Sequence, residues 1–136
     1  MTIDNFWVKP IKTAFTPINV LDEQADYLEK TSNNELGAQT VTTYPNNDEV
    51  VRVSFFIIAT QLRGYSYRLL WFDQTVDTIF PFKINAFSSP VEDFGVVNNM
   101  EEFVETIKKV LGSLRTATIL GNILTIGNAV KIDNED

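Results

Sequence analysis

The hydrophobic positions change period along the chain. Between Thr16 and Lys30, Ile18, Leu21, Ala25 and Leu28 recur at i, i+3, i+7 and i+10, one stripe of an α-helix, while Asp22, Glu23, Asp26 and Glu29 take the other side. Thr16 suits the cap, since its hydroxyl accepts from an open amide, and Pro17 has no amide to leave unpaired at the first helical position. Thr31-Ser32-Asn33-Asn34 prefers turns and ends the helix. The carboxylates on its wet side read as a solvated face, not a metal site.

From Leu36 to Phe87 the pattern becomes short β-rich runs, which predicts four antiparallel strands separated by turns at Tyr44-Pro45-Asn46-Asn47-Asp48, at Arg63-Gly64 and around Asp73-Gln74-Thr75. In the run over 50–60 both alternating sets turn apolar towards the middle, as in a central strand. In the next, strict alternation puts Tyr65, Tyr67, Leu69 and Trp71 on one face and Ser66, Arg68, Leu70 and Phe72 on the other. Phe80, Phe82 and Ile84 alternate in the last strand, where Pro81 cannot donate to a ladder and calls for an open edge or an irregularity.

Phe87 to Val97, with Ser88-Ser89-Pro90 and Gly95, reads as a loop. Asn99 and Glu102 then fit a capping box, and Met100, Phe103, Val104, Ile107, Val110 and Leu111 form the cleanest helical stripe in the chain. Glu101, Glu102 and Glu105 lie early and Lys108 and Lys109 late, which complements the helix dipole, with Glu105 spaced to reach Lys109. Gly112-Ser113 breaks this helix. A further helix from Ser113 to Ile126 would bury Leu114, Ala117, Leu120, Ile123 and Leu124. Residues 119–130 also resemble two short β runs joined by Gly-Asn turns, and helix is preferred to hairpin. Residues 1–15 follow no period and are expected as an arm, with Phe6 and Trp7 padding the domain edge; residues 131–136 are expected as an acidic tail. The predicted fold is α+β: one domain over 16–130, with an N-terminal helix, a four-stranded antiparallel meander sheet and two C-terminal helices packed on one sheet face.

Composition narrows the chemistry. The chain has 136 residues, enough for one domain, and contains no Cys and no His, so disulfides, thiolate nucleophiles, imidazole bases and Cys/His zinc sites are excluded. With 11 Lys and Arg against 18 Asp and Glu the net charge is −7, and there is no basic run to neutralise phosphates, so double-stranded nucleic acid is not an expected partner. The longest apolar stretches are far below the roughly 20 residues of a membrane span, so no membrane is expected and a cytoplasmic location follows. No phosphate-binding glycine loop, dinucleotide fingerprint, nucleophile elbow or calcium loop occurs, and no cofactor or metal is expected. Asp48/Glu49, Asp73/Asp77 and Glu92/Asp93 are acidic pairs of the kind glycosidases use, and their default reading is turn acids.

The most suggestive segment is Arg63-Gly64-Tyr65-Ser66-Tyr67-Arg68, continuing to Trp71. Arginines alternating with aromatics on a strand make a rigid, adhesive surface, and these five side chains (Arg63, Tyr65, Tyr67, Arg68, Trp71) are the candidate binding residues, with no catalytic or metal residue expected. The opposing reading packs the tyrosines under a helix and pairs the arginines across strands. Ten Phe and 12% aromatic residues exceed what one small core hides, which favours an interface with another protein or a second copy.

The spacing Thr16-Pro17-x-x-x-Leu21-x-x-Gln24-Ala25-x-x-Leu28-x-x-Thr31, with Tyr65-x-Tyr67-Arg68-Leu69, resembles short stand-alone bacterial proteins with no assigned activity. That resemblance implies an intact fold and supplies no functional residues. The expected function is a non-catalytic protein-binding module of a bacterial cell, of an accessory or immunity type. The alternative is a small-ligand-binding protein or carboxylate-based enzyme with a pocket between the sheet and the loop at 88–95.

Overall fold

The computed structural model describes residues 2–7, 14–45 and 49–133. Helix α1 spans Pro17–Thr31, strands β1 to β5 span Leu36–Thr43, Val50–Ala59, Tyr65–Thr75, Phe82–Ala86 and Glu92–Val97, and helices α2 and α3 span Met100–Leu111 and Leu114–Asp133. The strands form one antiparallel meander in the order β1-β2-β3-β4-β5. Consecutive strands therefore pair with their nearest neighbours in the chain.

The start of α1 closes as its residues dictate: the Asn19 amide donates to the Thr16 hydroxyl at 3.4 Å, and the Thr16 amide donates back to Asn19 Oδ1 at 2.8 Å. Asn33 and Asn34 leave the helix at φ of 53° and 67°, a region asparagine tolerates better than most residues. At the start of α2 the Glu102 amide donates to Asn99 Oδ1 at 2.9 Å, and the reciprocal bond runs from the Asn99 side-chain amide to the Glu102 carboxylate at 3.2 Å, not to the Asn99 backbone. Glu105 meets Lys108 at 3.4 Å instead of Lys109.

The turn expected around Asp73-Gln74-Thr75 is instead the end of β3, where these residues pair with Arg52, Val51 and Val50. Three further sequence expectations are corrected. The sheet has a fifth strand, because Glu92–Val97 pairs with β4 despite its acids and the left-handed Gly95, φ 90°. Hairpin pairing with β4 overrode local loop chemistry there. Second, α3 runs on to Asp133, and only part of the expected stripe turns inward: Leu120, Ile123 and Leu124 pack on the core, whereas Leu114 and Ala117 face solvent and Thr116 and Gly127 are buried. Third, Phe6 and Trp7 do not pad the domain; they stand 86% and 77% exposed. Pro81 precedes the β4 ladder, which starts at Phe82. The turn expected at 44–48 falls partly on 46–48, the arm partly on 8–13 and the tail partly on 134–136, all outside the described residues.

The three helices cover one face of the sheet. Its centre is an aromatic cluster in which Phe72 and Phe82 stack at 4.4 Å and Phe103 of α2 meets both edge-on, at 5.4 and 5.8 Å. Each such pair adds about 0.5–1.5 kcal/mol beyond its buried area. Val53, Phe55, Ile57, Leu69, Leu70 and Ile84 complete the floor from the strands, and Leu21, Ile107 and Val110 the roof. Gly127 lets α3 approach the single 3-10 turn at Thr60–Leu62: a Cβ there would sit 2.9 Å from Gln61 Oε1.

Candidate functional site

A single extra residue in β3 decides where the candidate side chains go. Phe55 of β2 is opposite Leu70, but its successor Phe56 is opposite Arg68, so Leu69 is a bulge residue with no opposite number of its own. Leu69 and Leu70 are consecutive and both fully buried. Beyond the bulge the alternation resumes out of phase. Tyr65 and Tyr67 point to the helix-covered face, opposite Ala59 and Ile57, whereas Trp71, opposite Ser54, points to the other face together with Arg68.

The five candidates thus separate into three places. Arg63 sits in the β2–β3 turn at φ 55°, exposed, beside Gly64 at φ 77°. Tyr65 and Tyr67 line a groove of about 320 Å³ with Leu62 and the α3 residues Ile119, Ile123 and Ile126. The Tyr67 hydroxyl accepts from the Ser88 amide at 3.2 Å, which ties β3 to the β4–β5 connection. Tyr67 thus packs half-buried beneath α3, whereas Tyr65 keeps 52% of its surface exposed at the rim of the groove. Arg68 and Trp71 lie on the open face, with the guanidinium carbon 3.8 Å from the centre of the indole ring.

That open face carries rows of side chains across the sheet. One row runs Val41, Ser54, Trp71, Asn85, and the next runs Gln39, Phe56, Arg68. Ile58 continues the apolar strip beyond Phe56, and Gln39, Ser66, Asp73 and Lys83 at its borders are exposed. The two apolar sides of β2 fit its place between β1 and β3, inside the sheet. Phe56 and Ile58 are half-buried members of the solvent-facing surface.

The charges of the face are unevenly paired. Arg52 grips Asp73 directly across the ladder with two bonds, Nε to Oδ1 at 2.8 Å and Nη2 to Oδ2 at 3.0 Å, and this bond with the nearby carboxylate raises its pKa. Lys83 reaches Asp93 at 3.7 Å. Arg68 has no carboxylate within bridging distance among the described residues. Burial lowers its pKa, repulsion from Arg52 adds to the drop, and Asp73 opposes it. Within a chain of net charge −7, this is a locally cationic surface with an incompletely compensated guanidinium at its centre.

Much of the segment expected as a loop at 88–95 is strand β5, and the chain just before it is tightly packed. Phe87 is fully buried there, Arg115 lies 4.2 Å over its ring, and the same guanidinium donates to the Pro90 carbonyl at 2.7 Å. An apolar cavity of about 180 Å³ lies instead between α1, α3 and the sheet, floored by Phe55, Ile57 and Leu69 with Gln24 and Tyr27 at α1. No cluster of acidic side chains among the described residues is arranged to hold a metal ion, and no single helix there is long and apolar enough to cross a membrane. Compared with family models, curated proteins and solved structures, the chain matches none.

Proposed function

We propose that the protein is a non-catalytic protein-binding module whose recognition surface is the open sheet face centred on Arg68 and Trp71. The observation that carries this reading is Arg68 stacked on Trp71, without an ion-pair partner among the described residues, on a helix-free face with a half-buried apolar strip of Val41, Phe56, Ile58 and Trp71. Aromatic and arginine side chains supply the anchors of most protein interfaces, because they combine apolar area with directional donors at low entropic cost. A guanidinium that burial and Arg52 already disfavour gains from any incoming anion. The fitting partner therefore presents a carboxylate beside an apolar side chain. Tyr67, half-buried under α3, acts as a support, and the exposed Tyr65 lies on the opposite face from Arg68 and Trp71 in this reading.

The test places a photo-activated cross-linking residue at Ser66, exposed on the same face, and compares the captured partner in the parent chain with Arg68→Glu and Trp71→Ala. The expected result is one specific adduct that both substitutions abolish while the thermal unfolding midpoint stays close to the parent's. Adducts that persist in both variants, or variants that simply unfold, refute the assignment.

A further inference from the structure

The sheet ends on two unlike edges. The β5 edge is guarded: it opens with Glu92 and Asp93, its Gly95 is left-handed at φ 90°, and the Gly95 amide is already taken by Asp93 Oδ1 at 2.7 Å. Arg115 approaches Glu92 at 3.8 Å on the same side. Charges and irregular backbone of this kind keep foreign strands off a sheet. The β1 edge has none of them. Its eight residues, Leu-Gly-Ala-Gln-Thr-Val-Thr-Thr, contain no charge and no proline.

The hydrogen bonds around Leu36 fix which of its backbone groups point outward. The Leu36 amide donates to Ser32 Oγ at 3.0 Å, and the Ser32 hydroxyl donates to the Leu36 carbonyl at 3.0 Å, so Leu36 faces away from β2. Thr60 Oγ1 donates to the Glu35 carbonyl at 3.0 Å on the opposite, β2 side. Because antiparallel strands alternate, Gly37, Gln39, Val41 and Thr43 make the ladder to β2, and Ala38, Thr40 and Thr42 direct their amides and carbonyls away from the sheet. Among the described residues no backbone bond to another element reaches these three. The Thr40 hydroxyl, in the middle of the row, is buried and has no hydrogen-bond partner.

We infer that β1 is a self-association edge, which pairs antiparallel with β1 of a second copy about a two-fold axis at Thr40. This register sets Thr40 opposite Thr40 and Ala38 opposite Thr42, so every outward amide and carbonyl of the row is satisfied, and none competes with the Ser32 cap on Leu36. The neutral strand is self-complementary, which an edge bearing Glu92 and Asp93 is not. The axis stands perpendicular to the sheet, so both Arg68–Trp71 faces end on one side of a continuous ten-stranded layer, twice the five strands of one copy. The inference is independent of the open-face reading, since edge and face are different surfaces.

The experiment is sedimentation velocity of the full chain over a wide concentration range, combined with amide hydrogen exchange, on the parent, Thr42→Pro and Thr40→Val. The parent is expected to form a reversible dimer, with protection at Ala38, Thr40 and Thr42 that grows with concentration. Thr42→Pro removes an outward amide while leaving the β2 ladder intact, and it should weaken the dimer at least about tenfold. Thr40→Val keeps the shape and removes only a hydroxyl already buried within one copy, so it should leave both the dimer and the fold of the monomer intact. If Thr42→Pro fails to fold, the exchange data decide. A parent that stays monomeric at every concentration, concentration-independent protection of the three amides, or a dimer indifferent to Thr42→Pro overturns the inference.

Discussion

Phe87 sets two large effects against each other. It sits just beyond β4 at φ 68°, a conformation that costs a bulky side chain roughly 1–2 kcal/mol, yet its ring is fully buried, meets Phe94 edge-on at 6.1 Å and lies under Arg115. Its amide donates to the Leu69 carbonyl at 2.8 Å, which fixes the backbone against the bulge. Phe87→Ala keeps the unfavourable backbone and loses the ring, so its expected cost is about 3–5 kcal/mol, the usual range for deleting a buried phenylalanine. Phe87→Gly also loses the ring but releases the backbone, at the expense of about 0.5–1 kcal/mol of extra freedom in the unfolded chain. The glycine variant should therefore be the more stable of the two by about 0.5–1 kcal/mol, while remaining well below the parent. Urea unfolding with a shared denaturant slope resolves differences of this size. A glycine variant as stable as the parent would show that the ring contributes nothing, and an alanine variant equal to or better than glycine would show that the backbone at 87 is unstrained.

Other expectations concern the open face and the helix junction. A double-mutant cycle on Arg52→Ala and Asp73→Ala should give a coupling of about 0.2–1 kcal/mol that shrinks as salt is added, because the pair is bidentate but about a third exposed or more on each side. Arg68→Met should leave unfolding stability within about 1 kcal/mol of the parent, since the lost stack on Trp71 is offset by relief of burial and of repulsion from Arg52; a larger loss would place Arg68 among the structural residues. Ser113→Ala should cost about 1 kcal/mol, because Ser113 Oγ accepts from the Thr116 amide at 3.1 Å at the start of α3; an unchanged midpoint would dismiss that cap.

Much of the architecture was legible in the sequence because local signals and tertiary demands agreed. Thr16-Pro17 opened α1, the stripe from Met100 to Leu111 formed α2, and alternation located the first four strands. The failures share a cause, which is that pairing and packing between elements overruled the pattern within each. Glu92–Val97 carries loop chemistry yet is held as a strand by β4. The phase of α3 is set by Thr116, whose hydroxyl donates to the Val110 carbonyl at 2.6 Å, and by Gly127 against Gln61, neither of which a hydrophobicity count detects. The candidate patch failed as a unit for a sharper reason. Alternation assumes one residue opposite one residue, and no signal in Tyr65-Ser66-Tyr67-Arg68-Leu69-Leu70-Trp71 marks Leu69 as supernumerary beyond two adjacent leucines of the same character. The edge at β1 was missed because bland Gly, Gln and Thr residues attract no attention until the neighbouring strand is known.

The irregularity at Leu69 has a wider meaning for how this domain can change. A strand that carries one surplus residue behaves like a sleeve with a sliding seam: everything before the seam keeps its orientation, and everything after it is inverted. Sliding the seam past Trp71 would turn the indole inward and bring Leu70 to the exterior, with no alteration in overall composition. Short insertions and deletions in this hairpin are thus a direct route by which descendants of the same scaffold could display different chemistry outward while retaining a common interior.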